Sequence, residues 1–180
     1  MIATLLWDFP HHFLVSGLLF GAASLTDFFD GKIARERNLI TDFGKFADPL
    51  ADKILVISCI VCFVSMKLCD PILLIVVLFR EFAITSIRLV AASSGKVIAA
   101  NMWGKVKTVS QIIAVVSVFV FQYFLELCKV GLFPIPKGIT DEIAFWLNIT
   151  GHILLWISTI FTIISGYIYI KDNKNCIEDR

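Results

Sequence analysis

Five long apolar runs, at about residues 13–30, 46–67, 71–93, 108–127 and 144–169, set the tightest limit on what this chain can fold into. A helix crosses a bilayer core about 30 Å thick with roughly 20 mostly apolar residues, so each run reads as a membrane span. A stub from Met1 to Trp7 precedes them and is too short to cross alone. It has no basic start and no small-residue cleavage site, so it reads as the rear half of a first span and not as a signal peptide. Composition points the same way: 58% of residues are apolar, 17% are charged and the mean hydropathy is +0.84, which excludes an ordinary soluble domain and a disordered chain. A formal net charge of +1 leaves no basic field for a nucleic-acid partner. The sequence predicts an all-α, polytopic membrane helical bundle of five full spans plus a truncated first span, in one domain over 1–180.

The basic residues orient that bundle, because Lys and Arg in short loops are retained on the cytoplasmic side. Lys32, Arg35, Arg37, Lys45 and Lys53, then Lys96, Lys105 and Lys107, then Lys171, Lys174 and Arg180 fall on one side. Only Lys67, Lys129 and Lys137 fall on the other, while Arg80 and Arg88 lie within a span. The connections at 31–46 and 94–107 and the C-terminus are therefore expected in the cytoplasm, in a multi-pass protein of the cell membrane. The turn holding Asp8, Pro10, His11 and His12 is expected at the opposite interface. Five cysteines, Cys59, Cys62, Cys69, Cys128 and Cys176, are scattered through the apolar runs and their surroundings with no zinc-site or disulfide pattern. Cys59 and Cys62 have redox-pair spacing, but no cation or exposed loop is near to stabilise a thiolate, so they read as packing residues.

The chemistry concentrates between Thr26 and Lys53. Asp27 and Asp30 close one span, and Asp48 and Asp52 open the next. Residues three or four apart on a helix are neighbours on one face, so each pair aims its carboxylates the same way, and a short connection makes the two helices antiparallel neighbours. Four like charges at a membrane boundary persist only if protons or cations neutralise them. Oxygen-only ligands suit Mg²⁺ or Mn²⁺, and two such ions about 3.5 to 4 Å apart clamp displacements at phosphorus. Gly31 lets a phosphate approach the backbone closely, or simply sits at a helix end. Arg35 lies one turn further with the small Ala34 beside it, and its guanidinium can fork onto a diphosphate.

Asp27, Asp30, Gly31, Ala34, Arg35, Gly44, Asp48 and Asp52 together spell D-x-x-D-G-x-x-A-R, eight residues, then G-x-x-x-D-x-x-x-D. This resembles the signature of the CDP-alcohol phosphotransferase family with every spacing intact. The resemblance implies a six-span helical bundle, of which this chain starts inside the first span. It further implies that Asp27, Asp30 and Asp48 hold the two metal ions and that Asp52 both touches the metals and serves as the base. Gly31, Ala34 and Arg35 would contact the CDP moiety, and Thr41 stands where family members offer a further polar contact.

A second stretch narrows the acceptor. Arg80-Glu81, Arg88 on the same run, and Gly104-Lys105-Val106-Lys107-Thr108 are similar to the bacterial phosphatidylglycerophosphate synthases of that family. Ionised side chains within a span are costly and normally face a polar cavity or a partner. Arg80 and Arg88 are eight residues, about 12 Å, apart along a helix, so they are expected to have different partners, with Glu81 pairing one of them. Arg88, Lys105, Lys107 and Arg80 are the candidate ligands of an acceptor phosphate, although Lys105 and Lys107 taken singly also satisfy the positive-inside pattern. The resemblance thus implies CDP-diacylglycerol and glycerol 3-phosphate as substrates at a cytoplasmic-side active site among membrane lipids; a homodimer is compatible with it. Rival readings are the same chemistry on phosphatidylglycerol or inositol phosphate, as in cardiolipin and phosphatidylinositol phosphate synthases, and a divalent-cation transporter. A transporter places its carboxylates near the bilayer midplane on broken helices, whereas these aspartates cluster at one end of their spans.

Overall fold

The computed structural model describes residues 1–7, 9–36, 42–93, 102–132 and 136–173, without the side chains of 27, 28, 30–36, 42–52, 90, 92, 93 and 137. The described residues are all-helical: α1 (Ile2–Leu6), α2 (His12–Glu36), α3 (Asp42–Ser65), α4 (Pro71–Ser93), α5 (Met102–Val130) and α6 (Lys137–Asp172). The helices coincide with the expected runs; α4 has the expected bounds, α3 starts earlier and ends at Ser65, and α2, α5 and α6 outreach their runs. The motif-bearing α2 continues six residues past its apolar run, to Glu36, and α5 starts at Met102 instead of near 108. Among the described residues, two helical segments, Met102–Val130 and Gly138–Asp172, are long and apolar enough to cross a membrane. In α4 the charged Arg80, Glu81 and Arg88 interrupt an otherwise apolar helix of 23 residues.

Local chemistry fixes the ends. Pro71 opens α4, where its missing N–H costs no helical bond, and Leu73 N–H donates to the Asp70 carbonyl at 3.1 Å. The C-terminus of α3 is closed by two reversed bonds, Leu68 N to Phe63 O at 2.8 Å and Lys67 N to Val64 O at 3.0 Å, with Lys67 left-handed at φ 59°. At the end of α5 the same pair recurs as Leu132 N to Leu127 O and Gly131 N to Cys128 O, both 3.3 Å, with Gly131 at φ 84°.

The core lies where α2, α3 and α5 meet. Phe20 and Phe63 pack on Phe119 with ring centroids 5.9 and 5.3 Å apart, above buried Val115, Val118 and Leu155. Gly17 permits the α2–α5 approach, since a Cβ there would lie 3.3 Å from the Cβ of Phe119. Cys59 and Cys62 are buried in this core as packing residues. Cys69, in the α3–α4 turn, is pushed up to about 12 by burial and by the neighbouring Asp70, so it stays a thiol.

Cross-helix pairs give the directions. Gln122 of α5 donates to Asn148 of α6 at 2.7 Å, near the end of one helix and the start of the next, so α5 and α6 are antiparallel. Arg80 and Arg88 of α4 reach Ser165 and Tyr169 of α6, in ascending order on both, so α4 and α6 are parallel. His12, opening α2, meets Glu126 near the end of α5 at 3.3 Å, so those two are antiparallel. Alternation then brings the end of α2, the start of α3, the end of α4, the start of α5 and the end of α6 to one end of the bundle.

Candidate active site

Arg80 and Glu81 sit midway along α4, which packs against α3 and α6 and leaves little water to solvate them. Their partners come from every side. Glu81 is 5% exposed, and its Oε1 accepts from Arg80 Nη1 at 2.9 Å and from Lys107 Nζ of α5 at 2.5 Å. Lys53 Nζ of α3 stands 3.9 Å from Oε2 and donates to Thr85 Oγ1, one turn along α4. Arg80 Nη2 reaches the buried Ser165 of α6 at 2.8 Å. One carboxylate thus gathers cations from α3, α4 and α5, and Arg80 extends the network to α6. The other buried hydroxyls of α6 behave differently: Ser158, Thr159 and Thr162 donate to carbonyls of their own helix at 2.8 to 2.9 Å. Gly166 gives the Arg80 stem its passage, because a Cβ there would lie 3.1 Å from Arg80 Cγ.

Arg88 is held in another way. Its Nε donates to Tyr169 Oη at 3.1 Å, and its guanidinium carbon stands 5.2 Å from the centroid of that ring. Glu81 therefore pairs with an arginine and the two span arginines have different partners, as the spacing led us to expect. Lys107 is 7% exposed and committed to Glu81, whereas Lys105, two residues earlier, is exposed and Arg88 is exposed two turns beyond Glu81. The structure does not bring Lys105 into the group that holds Arg80 and Lys107.

The aspartate motif is placed by its backbone. Asp27, Asp30, Gly31, Ala34 and Arg35 lie in the second half of α2, and Gly44, Asp48 and Asp52 in the first half of α3. Both helices are continuous through these positions, and they pack against each other. The i, i+3 and i, i+4 spacings are therefore helical spacings on two neighbouring helices, an oxygen-only donor set that suits two hard divalent cations. The side chains of all eight positions, and the whole of Thr41, lie outside the described residues.

One bond ties the two halves together. Lys53 follows Asp52 directly, and its hold on Thr85 sets that level of α3 beside α4 one turn, about 4.5 Å along the axis, before Arg88. Lys53 and Tyr169 were missed by sequence reasoning: Lys53 counted only as a cytoplasmic-side cation, and Tyr169 stood in the last apolar run with nothing to set it apart. The available signal for Lys53 was its position beside the last motif aspartate; Tyr169 offered none.

Among known proteins, the family model for CDP-alcohol phosphatidyltransferase matches residues 1–164. A protein of Bacillus subtilis (strain 168) named CDP-diacylglycerol–glycerol-3-phosphate 3-phosphatidyltransferase is 41% identical over 169 residues, covering 94% of this chain and 78% of its own length. Proteins of the same name from Rickettsia bellii (strain RML369-C) and Rickettsia felis (strain ATCC VR-1525 / URRWXCal2) are 36% and 38% identical, over 97% and 89% of this chain and 87% and 79% of theirs. With its eight-position motif carried on two adjoining helices and a family match spanning nearly all its length, the chain belongs to the CDP-alcohol phosphatidyltransferase family.

Proposed function

We propose that this chain transfers the phosphatidyl group of CDP-diacylglycerol to sn-glycerol 3-phosphate, releasing CMP and giving phosphatidylglycerophosphate for phospholipid biosynthesis. The observation that carries the reading is the meeting, at one end of the bundle, of the motif-bearing stretches of α2 and α3 with the exposed residue Arg88. The names of the relatives support the donor and the acceptor.

Asp27, Asp30, Asp48 and Asp52 would hold two Mg²⁺ or Mn²⁺ ions, whose chemistry when bound is to neutralise the diphosphate and improve CMP as a leaving group. Gly31, Ala34 and Arg35, with Thr41, bind the CDP moiety, Arg35 by forking onto phosphate oxygens. Asp52 takes the proton from the 1-hydroxyl of glycerol 3-phosphate. The oxygen so freed attacks the phosphorus attached to diacylglycerol; the new O–P bond forms as the P–O bond to CMP breaks, and CMP carries away that electron pair. Arg88 binds the acceptor phosphate, with Lys105 at the rim and Arg80 and Lys107 as a buried cationic floor held by Glu81. Helices α2 to α6 are the five full spans of one membrane domain in this reading. Helices α2 to α6 have 25, 24, 23, 29 and 36 residues. At 1.5 Å per residue each is at least about 34 Å long, longer than a core of about 30 Å, with the apolar part of each in lipid and its charged end beyond it. The charge distribution puts the active site on the cytoplasmic side of the cell membrane.

The test is CMP release by detergent-purified protein given CDP-diacylglycerol, Mg²⁺ or Mn²⁺, and glycerol 3-phosphate, phosphatidylglycerol or inositol phosphate in turn. Metal-dependent turnover with glycerol 3-phosphate alone is expected, and Asp52→Asn abolishes it. Turnover confined to another acceptor would move the pocket assignment, and an Asp52→Asn variant at wild-type rate would sink the base assignment.

A further inference from the structure

The two arginines of α4 are bonded in opposite ways. Arg80 spends both terminal nitrogens inside the protein, Nη1 on Glu81 at 2.9 Å and Nη2 on Ser165 at 2.8 Å, while its buried Nε has no hydrogen-bond partner among the described residues. Arg88 is tied by Nε alone, to Tyr169 Oη at 3.1 Å, with the same ring 5.2 Å from its guanidinium carbon. Among the described residues no acceptor is bonded to Nη1 or Nη2 of Arg88, and the residue is exposed. A guanidinium offers two parallel N–H bonds along an edge, and a phosphate monoester matches such an edge with two oxygens. In Arg80 the terminal nitrogens are consumed by structure. In Arg88 the terminal edge is presented.

We infer that Tyr169 is the positioning residue of the acceptor site: it grips Arg88 through Nε and the ring face and so aims the free Nη1/Nη2 edge at the phosphate of the acceptor. Tyr169 is 2% exposed, so its ring is fixed by packing and can hold a long side chain to one rotamer. Holding the arginine in place before the substrate arrives removes the rotamer-entropy cost of ordering it from binding. Its level is right as well. Arg88 is one turn beyond Thr85, which holds Lys53, the neighbour of Asp52, so the aimed edge stands near the level at which the acceptor hydroxyl must lose its proton. The chemistry selected is a phosphate monoester with two oxygens free for the fork, in preference to an acceptor whose polar group is a cation or a bare hydroxyl. This inference rests on the acceptor reading proposed above.

The experiment measures initial rates of CMP release by the full chain in detergent, varying each substrate in turn, for the unsubstituted protein, Tyr169→Phe and Arg88→Lys. Tyr169→Phe keeps the ring and its packing and removes only the hydroxyl. It is expected to raise KM for glycerol 3-phosphate roughly three- to tenfold, as loss of one hydrogen bond does. Both kcat and KM for CDP-diacylglycerol are expected to stay within about twofold. Arg88→Lys, which keeps the charge and loses the fork, is expected to raise the same KM at least as far. If Arg88→Lys raises that KM and Tyr169→Phe leaves it alone, the acceptor reading stands and the role of Tyr169 is overturned. If Tyr169→Phe lowers kcat and shifts both KM values alike, Tyr169 is structural and the inference is wrong. No turnover of glycerol 3-phosphate by the unsubstituted protein overturns inference and acceptor reading together.

Discussion

Glu81 is the residue on which the described part of the site turns. A carboxylate this deep is tolerated because Arg80 and Lys107 donate to it directly and Lys53 stands 3.9 Å away, so its charge is compensated from three helices. Removing it leaves those cations facing one another with little water between them. Breaking a buried ion pair from one side typically costs about 3 to 5 kcal/mol, so Glu81→Ala is expected to unfold at a markedly lower temperature in detergent, with Glu81→Asp recovering part of the loss. A Glu81→Ala protein melting within a degree of the parent would show that the cations find other partners. That an arginine would pair with Glu81 was readable from the sequence, because two opposite charges side by side in a span have few alternatives. Lys107 was harder to read: a single residue separates it from Lys105, and only the direction each side chain takes from α5 decides that one is buried on Glu81 and the other exposed. Tyr169 was not legible at all, since its partner lies 81 residues earlier.

Elements were more legible than contacts, because hydrophobic runs and helix ends are written locally. Each apolar run became one helix, and the signals at the ends include Pro71 after Asp70 and Gly131 after Val130. The overshoot of α2 to Glu36 has a local cause too: Lys32, Ile33, Ala34, Arg35 and Glu36 include good helix formers, and an apolar run marks the part of a helix in lipid, not its full length. The paired helix ends give a direct test. Lys67 and Gly131 occupy equivalent positions after α3 and α5, both left-handed, with φ 59° and 84°. An L side chain in that region costs about 1 kcal/mol or more, and glycine escapes it. Lys67→Gly is therefore expected to stabilise the protein by about 1 kcal/mol and Gly131→Ala to destabilise it by a similar amount, read as opposite shifts in thermal unfolding. Shifts of the same sign would mean that side-chain contacts, and not backbone conformation, decide these two ends.

At the scale of the whole molecule, the packing directions and the charge distribution were obtained independently and agree. The cross-helix pairs bring the start of α5 and the end of α6 to the end of the bundle that carries the aspartate motif, while Glu126, His12 and Asp70 mark the opposite end. At that opposite end Trp156 donates to Asp70 Oδ2 at 3.0 Å, and His11 N–H donates to Glu126 at 2.5 Å, so it is tied by neutral and acidic groups with few cations. Among the described residues, the motif end carries Lys32, Arg35, Lys45, Lys53, Lys105, Lys107 and Lys171 by their positions on the helices, against Lys67, Lys129 and Lys137 at the other, as a cytoplasmic face does. Lys105, near the start of α5, and Lys129, near its end, are both exposed and are 24 residues apart, about 36 Å along one helix. If α5 spans the membrane, these two positions must lie on opposite sides. In a variant lacking the five native cysteines, Lys129→Cys is expected to react with a membrane-impermeant maleimide added to intact cells. Lys105→Cys is expected to react only after the cells are permeabilised. The reverse pattern would put the aspartates outside the cell, away from the cytoplasmic glycerol 3-phosphate that the proposed reaction consumes, and labelling of both in intact cells would mean that α5 does not cross at all.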